Sequence, residues 1–311
     1  MMKRVFAILI ITLVCVLVAA SAGACIFIAG FTAFDKASDG YANAASAAYP
    51  NEEPVSKGNE NISQSSLGDL TVLMYHNTLA RGKKQSIYCI NQDSLRRDFE
   101  YLKQNGYNVI SFKRLTECVD NGVYLPDKAV LLTFDDGYLN NVKYALPLLE
   151  EYGYSGLFSV VGDYTKFDRY GGKGGGDFIY LGWKDIGELA DNDNVEIGLH
   201  SYDLHNTRPR LGMSQLKGES DEAYAKLVAD DTQKLIDKLA AIGVTTDIFA
   251  YPFGKYTKLS EAVLKDKGIS ITLTCNEGIN HIYGRRSLYL LKRINRDATK
   301  SSLSEILKKY S

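Results

Sequence analysis

The chain has 311 residues, with 36 Lys plus Arg against 37 Asp plus Glu and a formal net charge of -1. That balance excludes an electrostatic case for nucleic acid as a partner, and 45% hydrophobic with 23% charged residues excludes a chain too polar to fold. The 21 tyrosines against one tryptophan suit core packing first and sugar contacts second.

Lys3 and Arg4 precede an uncharged run from Val5 to Phe34. A membrane-spanning helix needs about 20 apolar residues, whereas a cleaved signal has a shorter apolar core and a small-residue site. Residues 1–34 therefore read as an uncleaved signal anchor, a transmembrane helix. Cleavage near Ala20–Ala24 or lipidation at Cys25 are the alternatives. The basic pair predicts a cytoplasmic N-terminus and a domain outside the cell membrane, secreted if the signal is cleaved. Residues 35–68 are rich in Ala, Ser, Asn, Gly and Glu and read as a flexible linker. Residues 69–311 form the folded domain. Beyond the apolar run, Cys89, Cys118 and Cys275 are widely spaced with no CxxC, so free thiols are expected rather than a zinc ribbon or disulfide framework, with one Cys89–Cys118 or Cys118–Cys275 bridge as the alternative.

From Leu70 strands and helices alternate. Leu70–His76 reads as a strand, the stretch around Leu95, Phe99 and Leu102 as a helix ended by Gly106, then YNVIS as a strand and FKRLTECVDNG as a short helix. Ala129–Phe134 is a fully apolar strand, followed by a helix with an early proline and the strand SGLFSVVG. The segment Gly171–Gly176 lacks the order of a phosphate-binding loop and reads as a surface loop. A helix opening at Trp183, the strand Val195–His200 and a long helix around Glu219–Ile242 come next. DIFAYP (strand), LSEAVLKDKG (helix), SITLTC and YLLKRIN (strands) and a last helix complete the pattern. All-apolar strands alternating with helices imply a parallel sheet. About seven units over some 240 residues predict an α/β fold, a distorted parallel (β/α) barrel, with a doubly wound open sheet as the alternative.

In such barrels functional residues gather where strands end. The polar residues that terminate strands here are His76, Asp135 with Asp136, His200, and the YPFG of Tyr251–Gly254. Of the 4 histidines, only His281 has no matching place; it reads as a loop residue. His200 and His205 frame HSYDLH. On a helix this spacing would set them about 140° apart, but on a loop leaving a strand both imidazoles can meet one ion. One carboxylate from a neighbouring strand completes a set of two His and one Asp, which leaves coordination positions open, as catalytic zinc and some iron sites require. An ordinary loop or core role competes well for each histidine alone and poorly for the set.

TFDDGY followed by HSYDLH resembles the polysaccharide deacetylase family, carbohydrate esterases sharing the chitooligosaccharide-deacetylase homology domain. The likeness runs from about Leu70 to Asn295, and the opening LMYH and the DLH spacing resemble the permuted branch that acts on poly-N-acetylglucosamine. The resemblance implies that Asp135 is the general base, and that Asp136, His200 and His205 bind a divalent metal, zinc foremost with other divalent ions possible. It also makes His76 the general acid and gives the backbone amide of Phe253 a part in holding the oxyanion. Many members carry an arginine where this chain has Ala250; Arg293, at the end of a late strand, is the candidate substitute. Trp183, Tyr202 and Tyr251 are the aromatic candidates for sugar contacts, with core packing the competing reading for the first two. The implied activity is metal-dependent removal of N-acetyl groups from a cell-surface or cell-wall glycan, releasing acetate. The physics agrees: a cation separates two adjacent carboxylates into a ligand and a free base. A glycoside hydrolase with paired carboxylates and a non-catalytic glycan-binding protein on the same fold are the rival readings.

Overall fold

The structure is a computed structural model that describes residues 66–165, 176–299 and 301–310. The predicted transmembrane helix, the linker as far as residue 65 and the glycine-rich segment before Gly176 lie outside the described residues. Among the described residues no helix is long and apolar enough to cross a membrane.

Strand β1 (Gly68–Tyr75) leads into a small parallel pair, β2 (Asn77–Leu79) with β3 (Cys89–Asn91). Helix α1 (Gln92–Gln104) starts where the Asn91 side chain accepts from the Ser94 N–H, and it buries Leu95, Phe99 and Leu102, one helical face. Each such side chain contributes roughly 1.5–3 kcal/mol by leaving water. Strand β4 (Asn108–Val109) and α2 (Phe112–Asp120) precede β5 (Ala129–Phe134), buried along its whole length. One π turn (Asn141–Ala145) runs into α3 (Leu146–Tyr152), which carries Pro147 in its first turn and ends at left-handed Gly153. Then come β6 (Gly156–Val160), α4 (Trp183–Ala190), β7 (Val195–Leu199) and the long α5 (Asp221–Ala240). The chain finishes with β8 (Ile248–Ala250), α6 (Lys258–Asp266), β9 (Ile271–Leu273), β10 (Asn280–Ile282), β11 (Ile294–Asn295) and α7 (Leu303–Leu307).

The main sheet runs β10–β1–β5–β6–β7–β8–β9 and is parallel except for β10. It curls into a half-barrel, the doubly wound alternative being excluded by this order. One short segment spans the open side: Leu291 bridges Leu273 of β9 in parallel, and β11 pairs with β1. His281, expected in a loop, lies on β10, exposed and 2.6 Å from Asp69.

Strand periodicity divides the core in two. Leu70, Val72, Ala129, Leu131, Leu157, Ile248, Ala250, Ile271, Leu273 and Leu291 share one cluster, the concave interior, closed at the strand starts by Phe112 and Leu115 of α2. Leu73, Tyr75, Leu132, Phe134, Phe158, Val160, Leu199, Phe249 and Tyr251 face the surrounding helices. Continuing the inner series by twos gives Met74 and His76, Thr133 and Asp135, His200, Cys275, and Arg293 with Asn295. The interior therefore turns from apolar to polar at the carboxyl ends of the strands.

Candidate metal centre and active site

Those inner residues meet around a cavity of about 360 Å³ lined by His76, Asp135, Asp136, His200, His205 and Phe253, with Tyr88, Tyr138, Met74, Cys275 and Asn295 completing the wall. Three of the five non-glycine residues with positive φ among the described residues lie at its loops: Asp136 (73°), Ser201 (65°) and Phe253 (54°). Left-handed backbone is unfavourable for such side chains, and its concentration here shows where the fold bends the chain against preference. Asp136 leaves β5 in this conformation and so departs from the alternation that aims Asp135 inward. Gly137 follows at φ 72°, and a Cβ there would press on Val160 at 3.3 Å.

Asp136 Oδ1 lies 3.1 Å from Nε2 of His205 and 3.5 Å from Nε2 of His200. The ligand atoms of the three residues lie within 4.8 Å of one another. His200 Nδ1 is 2.7 Å from the Ala250 carbonyl oxygen, which assigns its proton there and leaves Nε2 as a lone-pair donor. Tyr164 Oη sits 3.0 Å from His205 Nδ1 and donates to the His205 carbonyl at 3.3 Å, which holds the second ring in place. Asp136 Oδ1 is buried and accepts no hydrogen bond. A buried carboxylate oxygen without a donor, facing two imidazole nitrogens, is a donor set that fits a divalent cation. In the metal-free protein, burial would lower the His200 pKa, but Asp135 and Asp136 outweigh it and raise it. Burial opposes ionisation of Asp136 too, and the two histidines more than reverse that, holding it well below the usual carboxylate range.

Asp135 is buried and paired with fully buried Arg293, Nη1 to Oδ1 at 2.8 Å. Arg293 also donates to Thr133 Oγ1 (3.2 Å) and, through Nε, to the Thr274 carbonyl (2.8 Å). Burial pushes the Asp135 carboxyl up, but Arg293 and then His200 overcome it, and the net displacement is downward. Oδ2 of Asp135 accepts no hydrogen bond among the described residues, so one oxygen is tied and one is free to take a proton. The geometry also weakens the glycosidase reading, because the two carboxylates are committed to different partners rather than facing across one bond.

His76 continues β1 past its last paired residue. The π turn explains its placement: buried Asn141 donates from Nδ2 to the His76 carbonyl (2.7 Å) and accepts from the Thr78 N–H (2.9 Å). The His76 ring lies against Tyr88 (4.8 Å between centroids), and its buried Nδ1 has no partner. Burial lowers its pKa, partly offset by Asp136 and Asp135.

Three sequence expectations are corrected. Tyr251 faces the helices, fully buried, and donates to Glu261 at 2.7 Å. Tyr202 turns into the helix-side core, its ring packed over Gly162 and under the Lys234 ammonium at 3.8 Å. Trp183 packs against the helix-side core and does not line the cavity. Their place is taken by Tyr88, Tyr138 and Phe253, the last lying 4.5 Å from His205 between ring centroids. Tyr88 and Phe253 are two of the exposed large hydrophobic side chains. Cys89, Cys118 and Cys275 are free.

Residues 122–272 match the family profile described as polysaccharide deacetylase. The chain carries a polysaccharide deacetylase domain. An Escherichia coli K12 relative named poly-beta-1,6-N-acetyl-D-glucosamine N-deacetylase is 23% identical over 227 residues, 67% of this chain and 34% of the relative. The chain thus spans about a third of that relative's length. A structure described as a de-N-acetylase from Aggregatibacter actinomycetemcomitans matches with TM-score 0.65 and 24% identity over 77% of this chain and all (100%) of that one, which shows the shared fold. IcaB from Ammonifex degensii matches with TM-score 0.61 and 27% identity over 73% of this chain and 91% of that one. His76 and Arg293 fall outside the profile-matched residues, on the two segments that flank them in sequence and meet at the cavity.

Proposed function

We propose that this deacetylase domain hydrolyses N-acetyl groups from a poly-N-acetylglucosamine type of polysaccharide, releasing acetate and leaving a free amine. The observation that carries the reading is the division of the adjacent aspartates: Asp136 faces His200 and His205, whereas Asp135 is clamped by Arg293 with one oxygen left open. A divalent cation, zinc first, held by Asp136, His200 and His205 would polarise the acetyl carbonyl and acidify water beside it. Asp135 takes the proton from the attacking water through Oδ2, and Arg293 keeps that carboxylate ionised until then. The Phe253 N–H, in the turn at the cavity wall, donates to the developing oxyanion. His76 hands a proton to the departing amine from the opposite side of the cavity. Tyr88 and Phe253 offer apolar ring faces for sugar packing. In this reading residues 1–34 tether the domain at the cell membrane, outside the cytoplasm, and residues 35–68 give it reach toward exopolysaccharide or wall.

The test is acetate release from poly-β-1,6-N-acetylglucosamine oligomers and from peptidoglycan, with and without chelator. Release from the first that stops with chelator and returns with Zn²⁺ is expected. Chelator-resistant release would sink the metal assignment, and a new reducing end without acetate would sink the deacetylase reading.

A further inference from the structure

The HSYDLH loop has to solve a geometric problem, because its two histidines are spaced too widely for one helical turn yet their ring centroids lie 4.9 Å apart. The backbone between them is held from outside the loop. Asp231, in the middle of α5, accepts from the Tyr202 N–H at Oδ2 (2.7 Å) and from the Asp203 N–H at Oδ1 (2.7 Å). On the other side, the Gly162 N–H donates to the Ser201 carbonyl (3.1 Å) and the Asp163 N–H to the Tyr202 carbonyl (2.6 Å). Ser201 takes its left-handed conformation between these anchors.

These two contacts account for an aspartate at this place in α5. Aspartate is a poor interior helix residue, and this one is 8% exposed. Burying a carboxylate is unfavourable unless donors compensate, and both of its donors belong to the loop. Lys234, one helical turn on, lies over the Tyr202 ring and makes a separate contact with the same loop.

We propose that Asp231 is a positioning residue that sets the separation and aim of His200 and His205, and so presets the affinity and geometry of the cation site. The inference rests on the metal reading above. It assigns part of that site to a helix with no ligand of its own. Asp231 touches no reacting atom: it fixes where the ligand nitrogens stand before a cation arrives, removing the ordering that binding would otherwise require.

The test compares the full chain with Asp231→Asn, Asp231→Ser and Lys234→Met. Asparagine keeps the shape but turns an amide donor toward one of the two N–H groups; serine offers a single acceptor. Zn²⁺ affinity is read by competition with a chromophoric chelator, and geometry from the visible absorption of the Co²⁺-loaded protein, which reports only folded, loaded molecules. Both Asp231 variants are expected to bind Zn²⁺ about 10–100-fold more weakly with altered Co²⁺ bands, whereas Lys234→Met retains the wild-type affinity and bands. Wild-type spectra and affinity in the Asp231 variants would overturn the proposal, as would equal weakening in Lys234→Met. A wild-type chain that bound neither Zn²⁺ nor Co²⁺ would instead refute the metal reading itself.

Discussion

Two buried arginine–aspartate pairs hang from one short stretch near the C-terminus, and they differ in what they leave unused. Arg296 grips Asp98 with Nε and Nη2 (2.6 and 3.0 Å), gives Nη1 to the Asp297 and Ser301 carbonyls, and shares Asp98 with the Tyr75 hydroxyl. Both carboxylate oxygens there are occupied. Arg293, three positions earlier, holds one oxygen of Asp135 and spends its remaining donors on Thr133, the Thr274 carbonyl and Cys275. A saturated pair ties α1 to the end of the chain; an unsaturated one presents an ionised oxygen to a cavity. Burial and charge are similar in the two, so the unsatisfied acceptor is the feature that marks chemistry.

The contrast can be broken most sharply at Asp135. Asp135→Asn is expected to lower kcat by about 10³-fold, within the range for loss of a general base, with metal content retained. Asp136→Asn should lose the metal as well, so metal analysis beside kinetics separates the neighbours, and metal loss in the first variant would reverse their roles. At the other pair, Arg296→Met should cost about 3–5 kcal/mol of stability by stranding Asp98, while turnover per folded molecule stays within about twofold. Denaturant unfolding and active-site-normalised rates check this together. Arg293→Lys keeps the charge but not the fork. A fall of roughly tenfold in kcat with little change in KM is expected, and an unchanged kcat would remove Arg293 from the base.

The smallest effect is on acid stability. The folded pKa of Asp135 is depressed, so its contribution is fully present above the unfolded value of about 3.9 and is lost as pH falls through the lower folded value. Metal-free wild type should therefore lose stability more steeply than Arg293→Met on acidification below about pH 4. Parallel acid limbs in unfolding experiments would show that Arg293 does not set that pKa.

Much of the fold and the site is readable by counting. Ala129–Phe134 is apolar but for Thr133 because it lies between two packed layers, and its bounds coincide with β5. The same two-residue alternation sends Thr133 and, one step past the strand, Asp135 inward, and from Ala250 it sends Tyr251 outward. The YPFG motif suggests a sugar contact at Tyr251, but the parity of its strand overrides the motif. Trp183 and Tyr202 are harder, since a loop or helix-start aromatic has no alternation to count. Tyr88 and Asp231 are invisible to such counting because neither lies on a strand of the main sheet and each comes from far along the chain, with no local pattern. The small β2–β3 pair and β10 have three residues per strand, too few to display a period.

The segment that spans the half-barrel's open side also sets a timetable. Translation delivers His76 first, then both aspartates and both loop histidines, and after all of these the stretch from Leu291 to Asn295 that joins β9 to β1 and carries Arg293. A growing polypeptide can thus bring Asp136, His200 and His205 together before the guanidinium that pairs with Asp135 exists. The pair forms only when the segment from Leu291 to Asn295 joins β9 to β1, so closing the half-barrel and clamping Asp135 are one event in folding.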